Sequence, residues 1–459
     1  MAADVPDGYD VLVLGGGSGG YACALRSAQL GLRVALIERD KLGGTCLHRG
    51  CIPTKALLHA AEVADTARDG ARFGVNSSVA SIDMPAVLRY QQGVVSRLHK
   101  GLQGLVSAAT IDYFPGVGEV TSPTTIRLGD TTLTGRNLVL ATGSRARSLP
   151  GLEIGGRVLT SDEALTLDVV PGSVIVLGGG VIGVEFASVF RSFGASVTIV
   201  EALPRLVPAE EESISKALER AFRKRGIVSR TGARFAGVTQ DESGVTVSLE
   251  DGSTLSAEFL LVAVGRGPVS EGMGFESAGV VTDRGFVPTN DRRRTNVPGV
   301  YAVGDLVPGL QLAHRGFAHG IFVAEEIAGL APEPVLDRNI PKVTYCDPEI
   351  ASVGLTEAAA RAAYGEVRSY EYNLGGNGKS QILGTAGFVT VVRAVDGPVV
   401  GIHMIGARMG EQIGEAQLVV GWDAMPEDVA PLLHAHPTQN EALGEAHLAL
   451  AGKPLHAHA

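Results

Sequence analysis

The sequence predicts an α/β protein with two Rossmann-like dinucleotide-binding domains, the second inserted in the first, plus a separate C-terminal α+β domain. Two observations support this prediction. The order strand, G-x-G-x-x-G, helix, strand, acidic residue begins near Gly15 and recurs near Gly178. After about Lys342 the pattern changes to mixed strands and helices without a phosphate loop. A chain of 459 residues is long enough for several domains, each with its own core.

The first copy of this pattern begins with an apolar strand over residues 10–14, and a helical pattern follows its glycines. A second apolar strand, residues 34–37, ends at Glu38. In such a unit the glycines let the backbone approach a pyrophosphate at the helix N-terminus, and the carboxylate accepts a hydrogen bond from a ribose 2′-hydroxyl. The residues assigned to this dinucleotide site are Gly15, Gly17, Gly20 and Glu38.

The second copy has the same order, with strands over residues 174–177 and 197–200 and the acidic residue Glu201. One G-x-G-x-x-G motif is weak evidence, whereas two copies in the same context are strong evidence. A carboxylate at the second strand end repels a 2′-phosphate, so Glu201 favours NAD over NADP. The residues assigned to this site are Gly178, Gly180, Gly183 and Glu201.

Three later strand-to-glycine segments, residues 138–143, 260–265 and 300–305, predict that the chain returns to its sheets after each unit. The second domain is therefore expected as an insertion. The predicted bounds are 1–149 for the first dinucleotide domain with the cysteine pair, 150–272 for the second, 273–341 for a central domain, and 342–459 for the C-terminal domain.

Cys46 and Cys51 lie five positions apart in a segment rich in glycine. Five residues of ideal helix rise about 7.5 Å, which exceeds the roughly 7 Å between Cα atoms that a disulfide accepts. A bond between these cysteines therefore needs an irregular turn into the helix that starts at Cys51, and Gly50 can supply it. Two buried apolar thiols or half of a zinc site are the alternatives, but neither explains the surrounding glycines and proline. The pattern favours a redox-active pair.

Composition excludes several other classes of function. The net charge of −10 argues against a nucleic-acid or anionic-membrane partner, and no run of 18 apolar residues is present. Residues 1–7 lack the apolar region of a signal peptide. Four cysteines are too few for a disulfide scaffold. These features predict a cytoplasmic protein without a metal site.

Taken together, these motifs resemble the flavin-dependent pyridine nucleotide–disulfide oxidoreductases, most closely the bacterial dihydrolipoamide dehydrogenase branch. The resemblance covers essentially the whole chain. Its segments are Gly-Gly-Thr-Cys-Leu-His-Arg-Gly-Cys-Ile-Pro-Thr-Lys at 43–55, and residues 178–185, 303–305, 312–314, 344–349 and 434–442.

The resemblance implies FAD in the first unit and NAD in the second. It also implies that the central domain, 273–341, completes the FAD site and that 342–459 is the interface and dimerisation domain of a homodimer. It implies oxidation of protein-bound dihydrolipoamide to lipoamide with NAD+, in 2-oxoacid dehydrogenase complexes, with a lipoyl domain as partner. Lys55 is expected near the flavin, paired with Glu185. The further cofactor contacts that it implies are Gly44, Thr45, Lys55, Gly118, Thr142, Gly143, Ser144, Glu185, Gly265, Asp305, Gln311, Leu312, Ala313 and His314.

The same resemblance assigns catalytic roles. Cys46 forms the mixed disulfide with the substrate, and Cys51 forms the thiolate next to the flavin. His436 is the base that deprotonates the substrate thiol, Glu441 holds its ring, and this histidine lies opposite the partner subunit's disulfide. His434 is the alternative base, but the Pro-Thr-x-x-Glu that follows favours His436.

Three positions depart from the family pattern: His48 replaces the usual Asn between the cysteines, Val269 replaces an Asn expected to contact NAD, and His319 replaces a common Glu. His48 could shift the redox potential or the thiol pKa, and His319 is expected to affect only helix packing. The competing enzyme is an NADPH-dependent reductase of a small disulfide such as glutathione or mycothiol disulfide, which Glu201 opposes. A mercuric reductase-like activity is not expected, because this chain has no C-terminal cysteine pair. A non-catalytic scaffold role would leave the pair Cys46 and Cys51 unexplained.

Overall fold

A computed structural model describes residues 8–456, so the expectation for residues 1–7 concerns a segment outside the described residues. The strands are β1 (Tyr9–Leu14), β2 (Val34–Glu38), β3 (Ile111–Pro115), β4 (Gly118–Ser122), β5 (Thr125–Leu128), β6 (Thr131–Leu140), β7 (Ser144–Ala146), β8 (Val158–Leu159), β9 (Ser173–Leu177), β10 (Ser196–Glu201), β11 (Ile227–Thr231), β12 (Phe235–Gln240), β13 (Val245–Leu249), β14 (Thr254–Ala257), β15 (Phe259–Val262), β16 (Arg266–Pro268), β17 (Val300–Ala302), β18 (Lys342–Thr344), β19 (Glu349–Gly354), β20 (Val367–Asn373), β21 (Phe388–Ala394) and β22 (Val399–Gly406).

The α-helices are α1 (Ser18–Gln29), α2 (Gly44–Arg49), α3 (Cys51–Asp69), α4 (Met84–Ala108), α5 (Ser161–Ala164), α6 (Val181–Phe193), α7 (Glu212–Arg225), α8 (Ala313–Ile327), α9 (Glu357–Tyr364), α10 (Gly378–Leu383), α11 (Met409–Gly421), α12 (Pro426–Val429) and α13 (Glu441–Leu450). Short 3₁₀ turns cover Gly70–Phe73, Glu276–Ala278, Gly304–Leu306, Asp337–Asn339 and Leu374–Gly376. No helix of the described chain is long and apolar enough to cross a membrane.

The first of two compact units comprises residues 8–56, 85–147 and 265–337. Its sheet has the strand order β3-β2-β1-β6, in which β1 runs parallel to both neighbours and β17 joins β6 in parallel. Strands β4 and β5 continue the sheet in antiparallel fashion from the first half of β6. The C-terminal parts of the central strands, residues 11–14 of β1 and 138–140 of β6, are apolar and buried, as expected for a parallel sheet that is covered on both faces.

The second unit comprises residues 57–84, 148–264 and 338–456. Its parallel sheet has the order β11-β10-β9-β15-β8, and a separate antiparallel sheet is formed by β12, β13 and β14. A third, antiparallel sheet has the order β18-β19-β22-β21-β20, and α11 and α13 pack on it. A hydrophobic core that includes Val389, Ile402 and Leu443 holds this last layer together.

The predicted fold class is confirmed, including the return of the chain to the first sheet: Val300 of β17 pairs with Leu138 of β6 after the whole second sheet has been formed. Short strands β7 and β16 pair just before the chain leaves the first unit and just after it returns. The four predicted domain bounds stay predictions.

Candidate active site

The first phosphate loop has almost no room for side chains. Gly15 has φ +109°, and a Cβ atom there would lie 2.3 Å from the carbonyl oxygen of Ala141. A Cβ atom at Gly20 would lie 1.8 Å from the Gly15 carbonyl oxygen. Gly17 immediately precedes α1, so bare backbone faces the positive end of this helix. This geometry suits the pyrophosphate of a dinucleotide.

Glu38 organises this loop as well as ending β2. Its Oε2 accepts the Gly16 N–H at 2.6 Å and its Oε1 accepts the Asp40 N–H at 2.8 Å. A carboxylate offers about four acceptor positions, so it can still accept a ribose hydroxyl. The predicted ribose contact stays a prediction, and the bonds to the backbone are an additional role that the sequence did not indicate.

The second phosphate loop repeats this geometry within the second unit. Gly178 has φ +111°, and a Cβ atom at Gly183 would lie 1.9 Å from the Gly178 carbonyl oxygen. Gly180 precedes α6 as Gly17 precedes α1. Glu201 is buried, and its two oxygens accept the N–H groups of Gly179 at 2.6 Å and of residue 203 at 2.7 Å. The internal repeat predicted from the sequence therefore extends to individual hydrogen bonds.

The two cysteines of the predicted redox pair lie in the first unit, on two consecutive helices. Cys46 belongs to α2 and Cys51 is the first residue of α3, as the sequence predicted for Cys51. Gly50 between them has φ −144° and ψ −117°, which breaks the helix. The sequence predicted a turn at Gly50 but not that Cys46 would itself be helical. Both cysteines are half-buried.

The surroundings of Cys46 favour its protonated form. A side-chain hydrogen bond to Cys51, then burial, then the negative charge on Cys51 raise the pKa of the Cys46 thiol well above its ordinary value, against the opposing effect of Lys55. Cys46 therefore keeps its proton at physiological pH. The positive end of α3 favours negative charge at Cys51. By contrast, burial raises the pKa of Cys23 to about 12, which keeps that thiol inert.

A polar network in the first unit joins three segments of the predicted FAD site. The Ser144 hydroxyl donates to Asp305 Oδ2 at 2.6 Å. Arg266 donates from Nε to the Ser144 hydroxyl and from Nη2 to its carbonyl oxygen, both at 2.8 Å. The Thr45 hydroxyl contacts the same carbonyl at 3.4 Å. Arg266 was not among the site residues predicted from the sequence. Its only signal there is that a cationic residue directly follows the strand-to-glycine segment 260–265.

Neighbouring predicted positions act through backbone atoms and close packing. Val269, one of the three departures, donates its N–H to the Gly143 carbonyl at 2.9 Å, and its own carbonyl accepts the Thr142 hydroxyl. Both bonds use backbone atoms of Val269, whose side chain is buried, so they do not need the Asn amide that is missing at this position. At Gly118 a Cβ atom would lie 2.8 Å from the Leu14 side chain, so packing alone requires glycine there.

The segment from Gln311 to His314 leads into α8, which starts at Ala313 with Leu312 as its N-cap. The Gln311 Nε2 is buried without a hydrogen-bond partner among the described residues. A buried donor without an acceptor beside a helix N-terminus suits an anionic, acceptor-rich ligand. The glycine cradle, the Ser144–Asp305 network and this donor are the features of the first unit that suit FAD.

His319, the departure in α8, is fully buried and accepts the Gly304 N–H on Nδ1 at 3.4 Å. Burial, and then the charges of Arg293 and Arg315, lower the pKa of His319 to about 2. It is therefore neutral at physiological pH. This agrees with the expectation that it affects packing rather than chemistry.

His48, the departure between the cysteines, makes a hydrogen bond from Nε2 to the Leu42 carbonyl at 2.9 Å. Its ring packs edge-on against the ring of His99 on α4, with centroids 4.8 Å apart. His48 therefore links the start of the α2 segment to α4. Burial and the nearby charges of His48 and Lys41 lower the pKa of His99.

In the second unit, the two candidate bases have different surroundings. His436 is 76% exposed, and its Nδ1 lies 2.8 Å from Glu441 Oε1 at the start of α13. Burial raises the pKa of Glu441, but the Thr438 N–H and His436 hydrogen bonds lower it below its ordinary value. The carboxylate therefore stays charged, fixes the ring and leaves Nε2 directed away from Glu441.

His434 is only 12% exposed and is fixed by Glu415, whose Oε1 lies 2.8 Å from its Nε2. A Cβ atom at Gly444 would lie 2.6 Å from the His434 ring, so the helix packs closely on it. The hydrogen bond to Glu415 raises the pKa of His434. The geometry supports a structural role for His434 and leaves His436 as the accessible candidate, so its role as the base stays a prediction.

The remaining predicted cofactor residues are placed within their own units. Glu185 is buried on α6, and its Oε1 accepts the Tyr345 N–H at 2.9 Å. Gly265, with φ +105°, lies where the chain re-enters the first unit. The Lys55–Glu185 pair would join the two units and stays a prediction. Among residues 8–456 no group of three or more His, Cys, Asp or Glu residues could hold a metal ion.

Two dinucleotide cradles and a half-buried cysteine pair define the class: a dinucleotide-dependent thiol–disulfide oxidoreductase. Comparison with protein-family models agrees with this class. Residues 9–320 match the pyridine nucleotide-disulphide oxidoreductase family, and residues 340–447 match its dimerisation domain. The chain belongs to this family, and the dimerisation domain supports a homodimer.

Similar proteins match along almost the whole chain. A dihydrolipoyl dehydrogenase of Bacillus subtilis is 42% identical over 98% of this chain and 99% of its own length. The mitochondrial dihydrolipoyl dehydrogenase 1 of Arabidopsis thaliana is 37% identical over 99% of this chain and 93% of its own. The crystal structure of LpdA from Mycobacterium tuberculosis has a TM-score of 0.90 at 25% identity, covering 96% of this chain and 99% of the other.

Proposed function

We propose that this protein is a dihydrolipoyl dehydrogenase, which oxidises protein-bound dihydrolipoamide to lipoamide with NAD+. The observation that carries this proposal is the 42% identity to a named dihydrolipoyl dehydrogenase over 98% of the chain. FAD belongs to the first unit and NAD to the second. The cytoplasm is the proposed location, since four cysteines with one redox pair are typical of reducing compartments.

Bound FAD supplies a two-electron path between the thiol pair and the nicotinamide. The residues proposed to hold it are the glycines of the first phosphate loop, Glu38, the Ser144–Asp305 pair and the segment 311–314. Arg266 supports this site by fixing Ser144 through two hydrogen bonds of 2.8 Å. The second phosphate loop and Glu201 hold NAD in the same way.

The cysteines perform the exchange with the substrate. With the pair oxidised, a dihydrolipoamide thiolate attacks the Cys46 sulfur, forms a mixed disulfide and releases Cys51 as a thiolate. The second substrate thiolate then attacks the mixed disulfide at the substrate sulfur, so that lipoamide leaves and Cys46 is released and takes up a proton as a thiol. The balance is one substrate dithiol oxidised for one protein disulfide reduced. The raised pKa of the Cys46 thiol supports Cys51 as the thiolate of the reduced pair.

His436 is the proposed base for the substrate thiols. Its accessible ring can accept a proton on Nε2 while Glu441, 2.8 Å from Nδ1, stabilises the imidazolium that forms. As the family resemblance implies, His436 of one subunit serves the cysteine pair of the other in the homodimer. The proposed partner is a lipoyl domain of a 2-oxoacid dehydrogenase complex.

An NADPH-dependent reductase of glutathione or mycothiol disulfide is less well supported. The buried Glu201 carboxylate at the end of β10 would lie close to a 2′-phosphate and repel it. Residues 178–183 of the second phosphate loop include no cationic side chain that could bind a 2′-phosphate. The Glu201 oxygens accept backbone N–H groups instead.

The test of this proposal is steady-state turnover of purified, FAD-loaded protein. We expect rapid dihydrolipoamide oxidation with NAD+, much slower oxidation with NADP+, and no NADPH-driven reduction of glutathione or mycothiol disulfide. Protein that takes up no FAD, or that prefers NADPH and a small disulfide, would contradict it.

A further inference from the structure

The turn that follows Glu201 contains a strained residue. Val207 is buried and has φ +41°, a conformation that a β-branched residue rarely adopts. Strained backbone of this kind persists only where the surrounding structure holds it, and it often marks a functional constraint.

Val207 donates its N–H to the carbonyl oxygen of Gly179 at 2.8 Å. The N–H of the same glycine is bound by Glu201, at 2.6 Å. Leu206 completes the contact, since a Cβ atom at Gly179 would lie 2.5 Å from its side chain. Both polar groups of the middle residue of the second phosphate loop are thus fixed by the segment 201–207.

The first unit fixes the corresponding residue of its phosphate loop, Gly16, without a strained residue. There Glu38 accepts the Gly16 N–H, and Gly43 donates its N–H to the Gly16 carbonyl oxygen at 2.8 Å. Gly43 has φ +104°, which glycine adopts readily. The second unit has valine where the first has glycine, so its turn needs an additional restraint.

Glu210 provides such a restraint. Its side chain is 5% exposed, and its carboxylate accepts the Lys342 ammonium at 2.9 Å and the Ser352 hydroxyl at 2.6 Å. Its N–H closes the turn by donating to the Val207 carbonyl at 2.9 Å. Arg205 donates to the Glu210 carbonyl at 2.8 Å. Glu210 therefore fixes one end of the turn to strands β18 and β19, and Val207 at the other end binds Gly179 of the phosphate loop.

We propose that Glu210 is a positioning residue for NAD: by binding Lys342 and Ser352 it keeps the Val207 turn against Gly179 and so sets the shape of the second phosphate loop. This inference rests on the proposed function, because it takes NAD as the ligand of the second unit. Glu210 acts through Val207 and does not contact the nucleotide.

The first experiment compares Glu210→Gln with the neighbouring control Glu212→Gln. Glu212 is a surface residue that is 67% exposed and forms an ion pair with Lys216 on its own helix. For Glu210→Gln we expect roughly 3- to 30-fold increases in the KM for NAD+ and in the NAD+ dissociation constant from calorimetry. Flavin content and the KM for dihydrolipoamide should stay within twofold of wild type. The control Glu212→Gln should change neither the KM for NAD+ nor the NAD+ dissociation constant.

A second variant tests the strain itself. Glycine adopts φ +41° without strain, so Val207→Gly should make the turn less dependent on its restraint. The double variant Val207→Gly/Glu210→Gln should therefore bind NAD+ within about threefold of wild type. Hydrogen exchange of the peptide 202–211 should be faster in Glu210→Gln and return toward wild type in the double variant.

Unchanged NAD+ binding in Glu210→Gln would overturn the inference, and so would equal losses of FAD and NAD+ binding or a double variant weaker than Glu210→Gln. If Glu210→Gln does not fold, Ser352→Ala removes one bond to the same carboxylate and should raise the NAD+ dissociation constant selectively. Failure of the proposed function has a different result: wild-type protein itself would neither bind NAD+ nor use it with dihydrolipoamide.

Discussion

His436 and His434 are two residues apart, yet their environments differ at the scale of single side chains. His436 is exposed and has one carboxylate partner, whereas His434 is packed under α13 against Glu415. His456 repeats the geometry of His436: it is 69% exposed, with Nδ1 2.9 Å from Glu445. A histidine–carboxylate pair is therefore not sufficient to identify the base, and a matched comparison is required.

Replacing His436 by glutamine should lower dihydrolipoamide turnover roughly 10²- to 10⁴-fold, the usual contribution of a general base. Transfer of electrons from NADH to an artificial dye should be retained, since it needs no substrate thiol. His456→Gln is the control and should leave both rates near wild type. An unchanged lipoamide rate in His436→Gln would contradict the assignment, and stopped-flow or steady-state absorbance measures it.

The pair of His434 and Glu415 also predicts a pH-dependent stability. Its hydrogen bond raises the pKa of His434. Burial raises the pKa of Glu415, but the bond from His434 lowers it below its ordinary value. The charged pair therefore stabilises the fold fully below the ordinary histidine pKa of about 6.5, and loses this as pH rises through the raised pKa of His434. On the acid side it is lost as pH falls through the lowered pKa of Glu415.

We expect Glu415→Gln to lower the free energy of unfolding by about 1–2 kcal/mol near pH 6 and by clearly less near pH 9, where His434 is neutral. Urea unfolding of both proteins at the two pH values measures the difference. A cost that is equal at both pH values, or larger near pH 9, would show that the charged pair is not the source of stability.

At the scale of elements, the two β-α-β units share one plan, and the proposed function assigns them different ligands. In each unit the acidic residue that ends the second strand fixes the phosphate loop, through 2.6 Å bonds from Gly16 to Glu38 and from Gly179 to Glu201. Replacing either carboxylate should therefore affect only the dinucleotide of its own unit.

Glu201→Gln should reduce the preference for NAD+ over NADP+, because the charge that repels a 2′-phosphate is removed. We expect the ratio of the two kcat/KM values to fall by about tenfold, corresponding to roughly 1.4 kcal/mol. The matched control Glu38→Gln should leave this ratio unchanged and instead weaken FAD retention. Equal turnover with NAD+ and NADP+ in the wild type would contradict the role of Glu201.

Elements and motifs could be predicted from the sequence because their signals are local. The glycine spacing, the apolar strands and the break at Gly50 each lie within a short window, and they correctly indicated both phosphate loops and the helix that starts at Cys51. The bonds of Arg266 to Ser144 and of Glu210 to Ser352 join residues more than 100 positions apart. No periodicity encodes such contacts, so only the structure reveals them.

At the scale of the whole molecule, the proposed active site requires two chains. The dimerisation domain supports a homodimer, and the proposal places His436 of one subunit at the cysteine pair of the other. Exposed apolar side chains in this domain, Trp422 at 75% and Leu433 at 100%, are available for burial between subunits.

Hybrid dimers test this arrangement. Cys46→Ser and His436→Gln should each be nearly inactive alone, but a dimer of one Cys46→Ser chain and one His436→Gln chain contains one intact site. Tagged chains purified as hybrids should therefore recover about half of the wild-type lipoamide activity per dimer. Hybrids as inactive as the single variants would show that each site is built from one chain.

The central claim is that electrons pass from dihydrolipoamide to NAD+ through Cys46 and Cys51, and its most direct test is a single-turnover thiol count. One equivalent of dihydrolipoamide, added without oxygen to oxidised, FAD-loaded protein lacking NAD+, should make these two cysteines alkylatable, as identified by mass spectrometry. Subsequent NAD+ should give about one equivalent of NADH and return both cysteines to the unreactive state. In Cys46→Ser no lipoamide should form. Alkylation that is unchanged by dihydrolipoamide, or NADH formed by the Cys46→Ser protein at the wild-type rate, would contradict the claim.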